Sequence, residues 1–253
     1  MGDRDRLRAD LGAALTGPGG ALGAADRLCH ACVELLEVDG ASISLMQDGS
    51  SRGTFGSSGT LSRRLDELQF TFGEGPCLEA VRLGAPVLVA DLDDPAEKRW
   101  PAFREALLDS GVRAVFALPV ALACSPVGAL DLFRRRSGPL TGLGMTGGLL
   151  AAELAALPLL DLMSSDVDWE GVGQGDQGWE QLASLERVEV YQATGMVMGA
   201  WQVTPAEALV RLRGYAFAHG LTASEVAWAV VERSLVLGDD PHEGFVGAAG
   251  RRS

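Results

Sequence analysis

"FGEGPCLEAVRLGAPVLVADL", residues 72–92, runs a loop, a short helix and a strand together without a break. Gly73 and Gly75 permit a sharp turn, because glycine reaches backbone conformations closed to other residues. Pro76 suits the first helical position, where its missing N–H costs nothing. "CLEAVRL" then supplies about two turns of helix up to Gly84. A β-rich run, "APVLVADL", follows at once. Such an excursion across a sheet either walls a small-molecule pocket or is simply a connection that packs.

The flanking sequence supplies the sheet. "ASISLMQ" (41–47) alternates apolar and polar residues, and "DGSSRG" turns it into "GTFGSS" (53–58), the pattern of a hairpin. "VRAVFALPVAL" (112–122) and "PVGALDLF" (126–133) read as a second hairpin. Upstream, residues 24–38 carry Leu28, Cys32, Leu35 and Leu36 at helical spacing. Helices at both ends of antiparallel strands predict an α+β sheet covered on one face. Leu140 to Leu160 is apolar apart from Glu153, follows three arginines and contains Gly144-x-x-x-Gly148, as membrane spans do. Glu153 and Pro158 within it favour a buried or dimer-facing helix that closes the first domain, with no membrane partner.

In order, "GEGPCLEAVRLGAPVLVADL", "RWPAF" (99–103), "GVRAVFALPV" (111–120) and "VGALDLF" (127–133) resemble the GAF domain as found in actinobacterial regulators. The resemblance covers roughly 24–160. It implies a six-stranded antiparallel sheet with flanking helices and, often, a pocket for a small effector. Phe72, Cys77, Trp100 and Phe116 are the candidate pocket residues. The Asn-Lys…Phe…Asp-Glu series of cyclic-nucleotide-binding members is missing, so that ligand is not implied.

Composition narrows the function classes. A net charge of −13 excludes non-specific coating of nucleic acid or anionic membrane. The charged start "MGDRDRLRADLGAAL" does not read as a signal peptide, and four cysteines make no disulfide framework, so a cytoplasmic protein is expected. Cys29 and Cys32 lie on an apolar helix without further zinc ligands, which reads as buried packing. Cys77 begins a helix, where the dipole can activate a thiol, making it a candidate redox switch. His30, His219 and His242 have no triad partners nearby in sequence, and Asp91, Asp93 and Asp94 read as a solvated turn. No enzyme, metal site or cofactor is expected.

The C-terminal part carries a second signature. Thr204-Pro205-Ala206-Glu207 and Thr222-Ala223-Ser224-Glu225 both read as helix-starting capping boxes, with Gly220 as the stop between them. Leu182, Leu185, Val188 and Tyr191 form an apolar stripe on the preceding helix, a possible coiled-coil dimer seam. Leu209, Leu212 and Ala216 face Val226 and Val230, so three helices share one core. "QATGMVM" (192–198), "EALVRLRGYAFAHG" (207–220) and "SEVAWAVVE" (224–232) resemble the ANTAR domain, an RNA-binding antitermination module. The resemblance implies a three-helix fold, dimerisation by the first helix and recognition of paired RNA stem-loops.

Family members often carry Lys where this chain has Thr194. Residues 182–237 hold four arginines against five glutamates, a balance of −1. Arg211 and Arg213, two apart, diverge by about 200° on a helix and cannot share one face.

The expected architecture is therefore an α+β GAF-type sheet domain and a small all-α three-helix ANTAR domain. The expected boundaries are an N-terminal extension (1–23), a GAF sensor (24–162), an acidic Gly-rich linker (163–181), the ANTAR unit (182–237) and a fraying tail (238–253). The expected function is a homodimeric, effector-responsive regulator whose ANTAR domain binds RNA stem-loops to control transcription termination. Its RNA-facing candidates are Arg211, Arg213, His219, Gln192 and Thr194, with Tyr191 or Trp201 as stacking options. The alternative is a dimeric protein–protein module of the same fold that has lost RNA binding.

Overall fold

The computed structural model describes residues 2–47, 50–123, 125–164, 187–238 and 244–247. Five strands form one antiparallel sheet: β1 (Gly40–Gln47), β2 (Ser50–Ser57), β3 (Val87–Val89), β4 (Ala114–Leu122) and β5 (Ser125–Arg134), in the order β2-β1-β5-β4-β3. The described residues thus hold one strand fewer than the resemblance implies. Alternation assigns the faces. Ala114, Phe116, Leu118 and Val120 of β4 enter one core with Ala41 and Ile43 of β1, while Val115 and Ala117 enter another. Both faces are apolar enough to need cover, and both have it, which corrects the one-sided arrangement expected from the strand order.

The first face is covered by α1 (Asp3–Ala13), α2 (Gly20–Leu35), α6 (Gly142–Leu154) and α7 (Ala156–Ser164). The N-terminal extension therefore belongs to the core. Leu7 and Leu11 are buried in it, and Arg8 forms a two-pronged pair with Glu153 at 2.9 and 3.2 Å. Arg27 staples the turn between α1 and α2 by donating to the carbonyls of Ala14, Leu15 and Pro18. The apolar stretch Gly142–Asp161 is long enough by composition to cross a membrane, but half of it is buried in this fold. Its glycines explain how. A Cβ on Gly147 would lie 2.2 Å from Leu36 Cδ2, and one on Gly148 2.7 Å from Leu118 Cδ1. Pro158, which cannot donate to residue 154, accounts for the break between α6 and α7 at Ala155.

The second face lies under α3 (Thr60–Phe72), α4 (Pro76–Leu83) and α5 (Pro101–Asp109). The stretch that opened the sequence reading builds this layer. Gly73 takes the left-handed conformation (φ +67°) that ends α3, and Pro76 starts α4. Between them Glu74 accepts from the N–H groups of Ala102 and Phe103 at 2.7 and 3.1 Å. It thereby caps α5, whose own N-cap residue is Trp100 and has no side-chain acceptor to offer.

After a gap in the described residues, α8 (Val188–Trp201), α9 (Pro205–Ala218) and α10 (Ala223–Val231) pack around Val190, Val197, Leu212, Val226 and Val230. Thr222 and Glu225 form a full capping box, while Thr204 only accepts from Glu207 N–H and Glu207 turns to Arg211 at 2.8 Å instead. From residue 165 the acidic linker lies outside the described residues, as do 182–186 and His242. The tail does not simply fray. Phe245–Gly247 (β7) pairs with Leu235–Leu237 (β6), because Phe245 packs edge-on to Trp201 at 5.2 Å and against Tyr215 at 5.1 Å.

Gly56 of β2 tests the closeness of these layers. A Cβ there would meet the Ala25 backbone of α2 at 2.7 Å. Gly56→Ala is expected to cost about 1–3 kcal/mol through overpacking, measured as a lower urea midpoint with an unchanged slope.

Candidate functional site

The centre of the second sheet face is polar, and it is closed. On β1, Ser42 and Ser44 point to this side, and Ser42 stands opposite Asp131 of β5 in the ladder. A bulge between Ile43 and Ser44 brings Thr54 of β2 opposite Ser44. Both hydroxyls donate to Asp66 of α3, that of Thr54 at 2.5 Å. Gln69, one turn further along α3, donates to Asp131 at 2.5 Å and accepts from Cys77 N–H at 3.0 Å. This double contact needs Gly75, whose absent Cβ would stand 2.3 Å from Gln69 Oε1. Ser42, Ser44, Asp66 and Asp131 have no solvent exposure.

Two polar atoms in this cluster have no hydrogen-bond partner: Ser42 Oγ and Asp131 Oδ1. Burial, followed by the neighbouring Asp66, pushes the Asp131 carboxyl up to about 8, with Gln69 opposing. A buried carboxyl in that range changes protonation near neutrality and can act as donor or acceptor. Ser42 Oγ and Asp131 Oδ1 are thus the two atoms of this cluster with hydrogen-bonding capacity left over.

The four pocket candidates do not converge on this cluster. Cys77 does border it, with its thiol 3.9 Å from Met46 Sδ. Phe116, however, lies on the opposite face, because one step along β4 reverses the side chain. Trp100 packs in the α5 core with Arg99 stacked on it at 4.6 Å, and Phe72, half-buried against the same core, meets Phe217 at 5.6 Å. The activated thiol expected at Cys77 is corrected too. Burial, then Asp131 and Asp66, push it well above the ordinary range, outweighing the helix start. Cys32 is likewise pushed up to about 12 by burial alone. Asp91 and Asp93 pair with Arg113 at 2.9 and 3.5 Å, and no metal-holding group exists among the described residues.

The RNA candidates are scattered over the C-terminal unit. Tyr191 and Gln192 are exposed on α8, and the Thr194 hydroxyl donates to Val190 O at 2.6 Å. Trp201 is buried and donates to Gly238 O, so it cannot stack on a base in this state. Arg211 leans over Trp201 at 5.5 Å, while Arg213 lies 4.5 Å from the ring of Phe70 on α3. The two arginines thus take separate faces, as their spacing requires. His219 stacks on Tyr215 at 3.9 Å.

Sequence reading missed that α3 docks this unit. Arg187, at the entry to α8, is buried over Phe70 at 4.3 Å and reaches within 3.9 Å of Asp66. Arg64 of α3 meets Glu225 at 3.3 Å and Gly220 O at 3.0 Å, and Thr71 Oγ1 accepts from Ala223 N–H at 2.9 Å. The polar site and the C-terminal unit therefore touch the same residue, Asp66.

The chain thus folds as an antiparallel sheet between two helical layers, with a sealed polar centre on one face. Residues 23–143 match the family model of the GAF domain, a class that generally senses small molecules in regulation. Among solved structures, the chain is similar to the GAF domain of a phosphoenolpyruvate-protein phosphotransferase from Coxiella burnetii, at 20% identity and TM-score 0.49, covering 61% of this chain and 91% of that one. The corresponding Acinetobacter domain aligns at 12% identity and TM-score 0.49, over 63% and 95% of the two chains. A type II free methionine-R-sulfoxide reductase from Thermoplasma acidophilum aligns at 15% identity and TM-score 0.41, over 62% and 94%. No curated protein matches the chain.

Asp131 makes a pH prediction. Its folded-state value lies above that of an unfolded aspartate, about 3.9. Between about pH 4 and 8 the folded state therefore binds more protons, and this residue's contribution to stability falls as pH rises, at most about 1.4 kcal/mol per unit. Above that window the loss levels off. Asp131→Asn removes the titration, so its stability relative to wild type is expected to grow with pH across the window, measured by urea unfolding at successive pH values.

Proposed function

We propose that this protein is an effector-responsive regulator in the cytoplasm: the GAF domain senses a small polar molecule, and the C-terminal unit acts as an ANTAR domain on paired RNA stem-loops. The observation that carries the reading is the shared Asp66, which links the polar centre of the sensor to the docked three-helix unit. A ligand that rearranges the cluster must change what Arg187 meets. The RNA half of the proposal rests on the sequence resemblance and is supported by the three-helix core around Val190, Leu212 and Val226. A homodimer is part of the proposal. The outward face of α8 carries Tyr191, Gly195 and Gly199, and nothing lies within 4 Å of a Cβ on either glycine, which leaves room for a second helix. No enzymatic step and no cofactor enters this reading.

A second reading keeps the sensor and the dimer but gives the C-terminal unit a protein partner. Val210 and Trp228 favour it, being 64% and 51% exposed on a unit of slightly negative charge.

Crosslinking and recovery of RNA in the native host, comparing wild type with Arg211→Ala/Arg213→Ala, separates the two. Enrichment of paired stem-loops near terminators that disappears in the variant is the expected result. Recovery at the level of a non-binding control, with the dimer intact, would leave the protein-partner reading.

A further inference from the structure

The part of the C-terminal unit that lies around Phe70, Glu67 and Thr71 of α3 is rich in hydrogen-bond donors. It contains the guanidinium groups of Arg187 and Arg213, the hydroxyls of Thr222 and Ser224, and the N–H of Ala223, which has no partner within α10 itself. Arg187 Nη1 donates to Ser224 Oγ at 3.3 Å, which fixes the guanidinium beside the positive end of that helix. The group is 5% exposed, yet its Nε and Nη2 have no hydrogen-bond partner, and neither has Arg213 Nε. Two like charges on one phenyl ring, with three N–H-bearing atoms that make no hydrogen bond, form an incompletely satisfied site.

Helix α3 answers these donors with acceptors. Asp66 stands 3.9 Å from Arg187, Glu67 hydrogen-bonds Thr222, and Thr71 Oγ1 accepts from Ala223 N–H. Two adjacent carboxylates, Asp66 and Glu67, and the Thr71 hydroxyl one helical turn beyond Glu67 present acceptor oxygens to these donors. Arginine pairs, Ser/Thr hydroxyls and helix N-termini are the groups that hold nucleic-acid backbones.

We infer that the face of the C-terminal unit under α3 is its RNA-phosphate face, and that α3 holds it shut by occupying the same donors. The inference rests on the RNA reading above and adds to it the place of contact and the mode of control. RNA and sensor helix are then mutually exclusive partners of Arg187 and Arg213. A signal that frees α3 from the unit turns binding on.

The test uses the full chain and a fluorescently labelled pool of RNA hairpins with randomised loops. Arg64→Glu/Phe217→Asp breaks the contacts to Glu225 and Phe72 without touching any donor of the proposed face. Hydrogen exchange at residues 223–225 reports undocking, and anisotropy reports RNA affinity. We expect faster exchange and RNA binding tighter by about tenfold or more, a shift of at least ~1.4 kcal/mol. Adding Arg187→Gln/Arg213→Gln, which retains bulk but removes charge, is expected to abolish that gain while helicity is preserved. Faster exchange with unchanged affinity, or a gain that survives the glutamines, overturns the inference and leaves the RNA reading standing. Unchanged exchange overturns the docking on which the inference stands. If no variant binds RNA, both the inference and the RNA reading fall.

Discussion

Burying a carboxylate is costly unless hydrogen bonds or an opposite charge answer it, and Asp66 imposes that constraint on the whole N-terminal domain. Its two oxygens require Ser44 from β1 and Thr54 from β2, which fixes the register of α3 across the hairpin. The bulge in β1–β2 follows from the same demand, since without it Thr54 would not face Ser44. Leu65 and Leu68 on either side of Asp66 then fall into the apolar core between α3, α4 and α5. Arg187 supplies the remaining positive charge from outside the domain. One aspartate thus ties together strand pairing, helix placement and the docking of the C-terminal unit.

The loop after α3 shows how little slack this leaves. Within three residues the chain must end one helix, cap another and open space for a side-chain amide. Gly73, Glu74 and Gly75 do these things in turn. Gln69 can bridge Asp131 and Cys77 only because Gly75 stands aside, so the sealed state of the polar centre depends on a backbone position that carries no chemistry of its own.

Much of this was legible in the sequence, for identifiable reasons. Strands β1, β4 and β5 announced themselves because alternation is a local signal, and the α9–α10 hairpin did so because caps are local too. The polar centre was present in "ASISLM", where Ser42 and Ser44 alternate with Ala41 and Ile43, but nothing local says that the serine side is covered. That depends on α3, whose Asp66 and Gln69 look like solvated residues on an amphipathic helix. Phe116 was misplaced among pocket candidates for the same reason. Its chemistry suits a pocket wall, while its face is set by parity along β4. Arg187 carried no signal, because its partner is 121 positions earlier and in another unit.

The docked arrangement is held by contacts of modest individual worth. Arg64–Glu225 is an ion pair with both side chains about half exposed, a class that contributes little. The Phe72–Phe217 edge contact and the stacking of Arg187 and Arg213 on Phe70 contribute more, but the buried guanidinium atoms without partners subtract from the sum. On the proposed reading the unit comes away, and such an interface suits that, since a small molecule can shift an equilibrium only by its own difference in affinity for the two states. A dry, fully satisfied contact would lock the unit beyond the reach of any effector. On the proposed reading, the atoms of Arg187 that lack hydrogen bonds keep the docked state within reach of the energy that an effector bound at the polar centre would deliver.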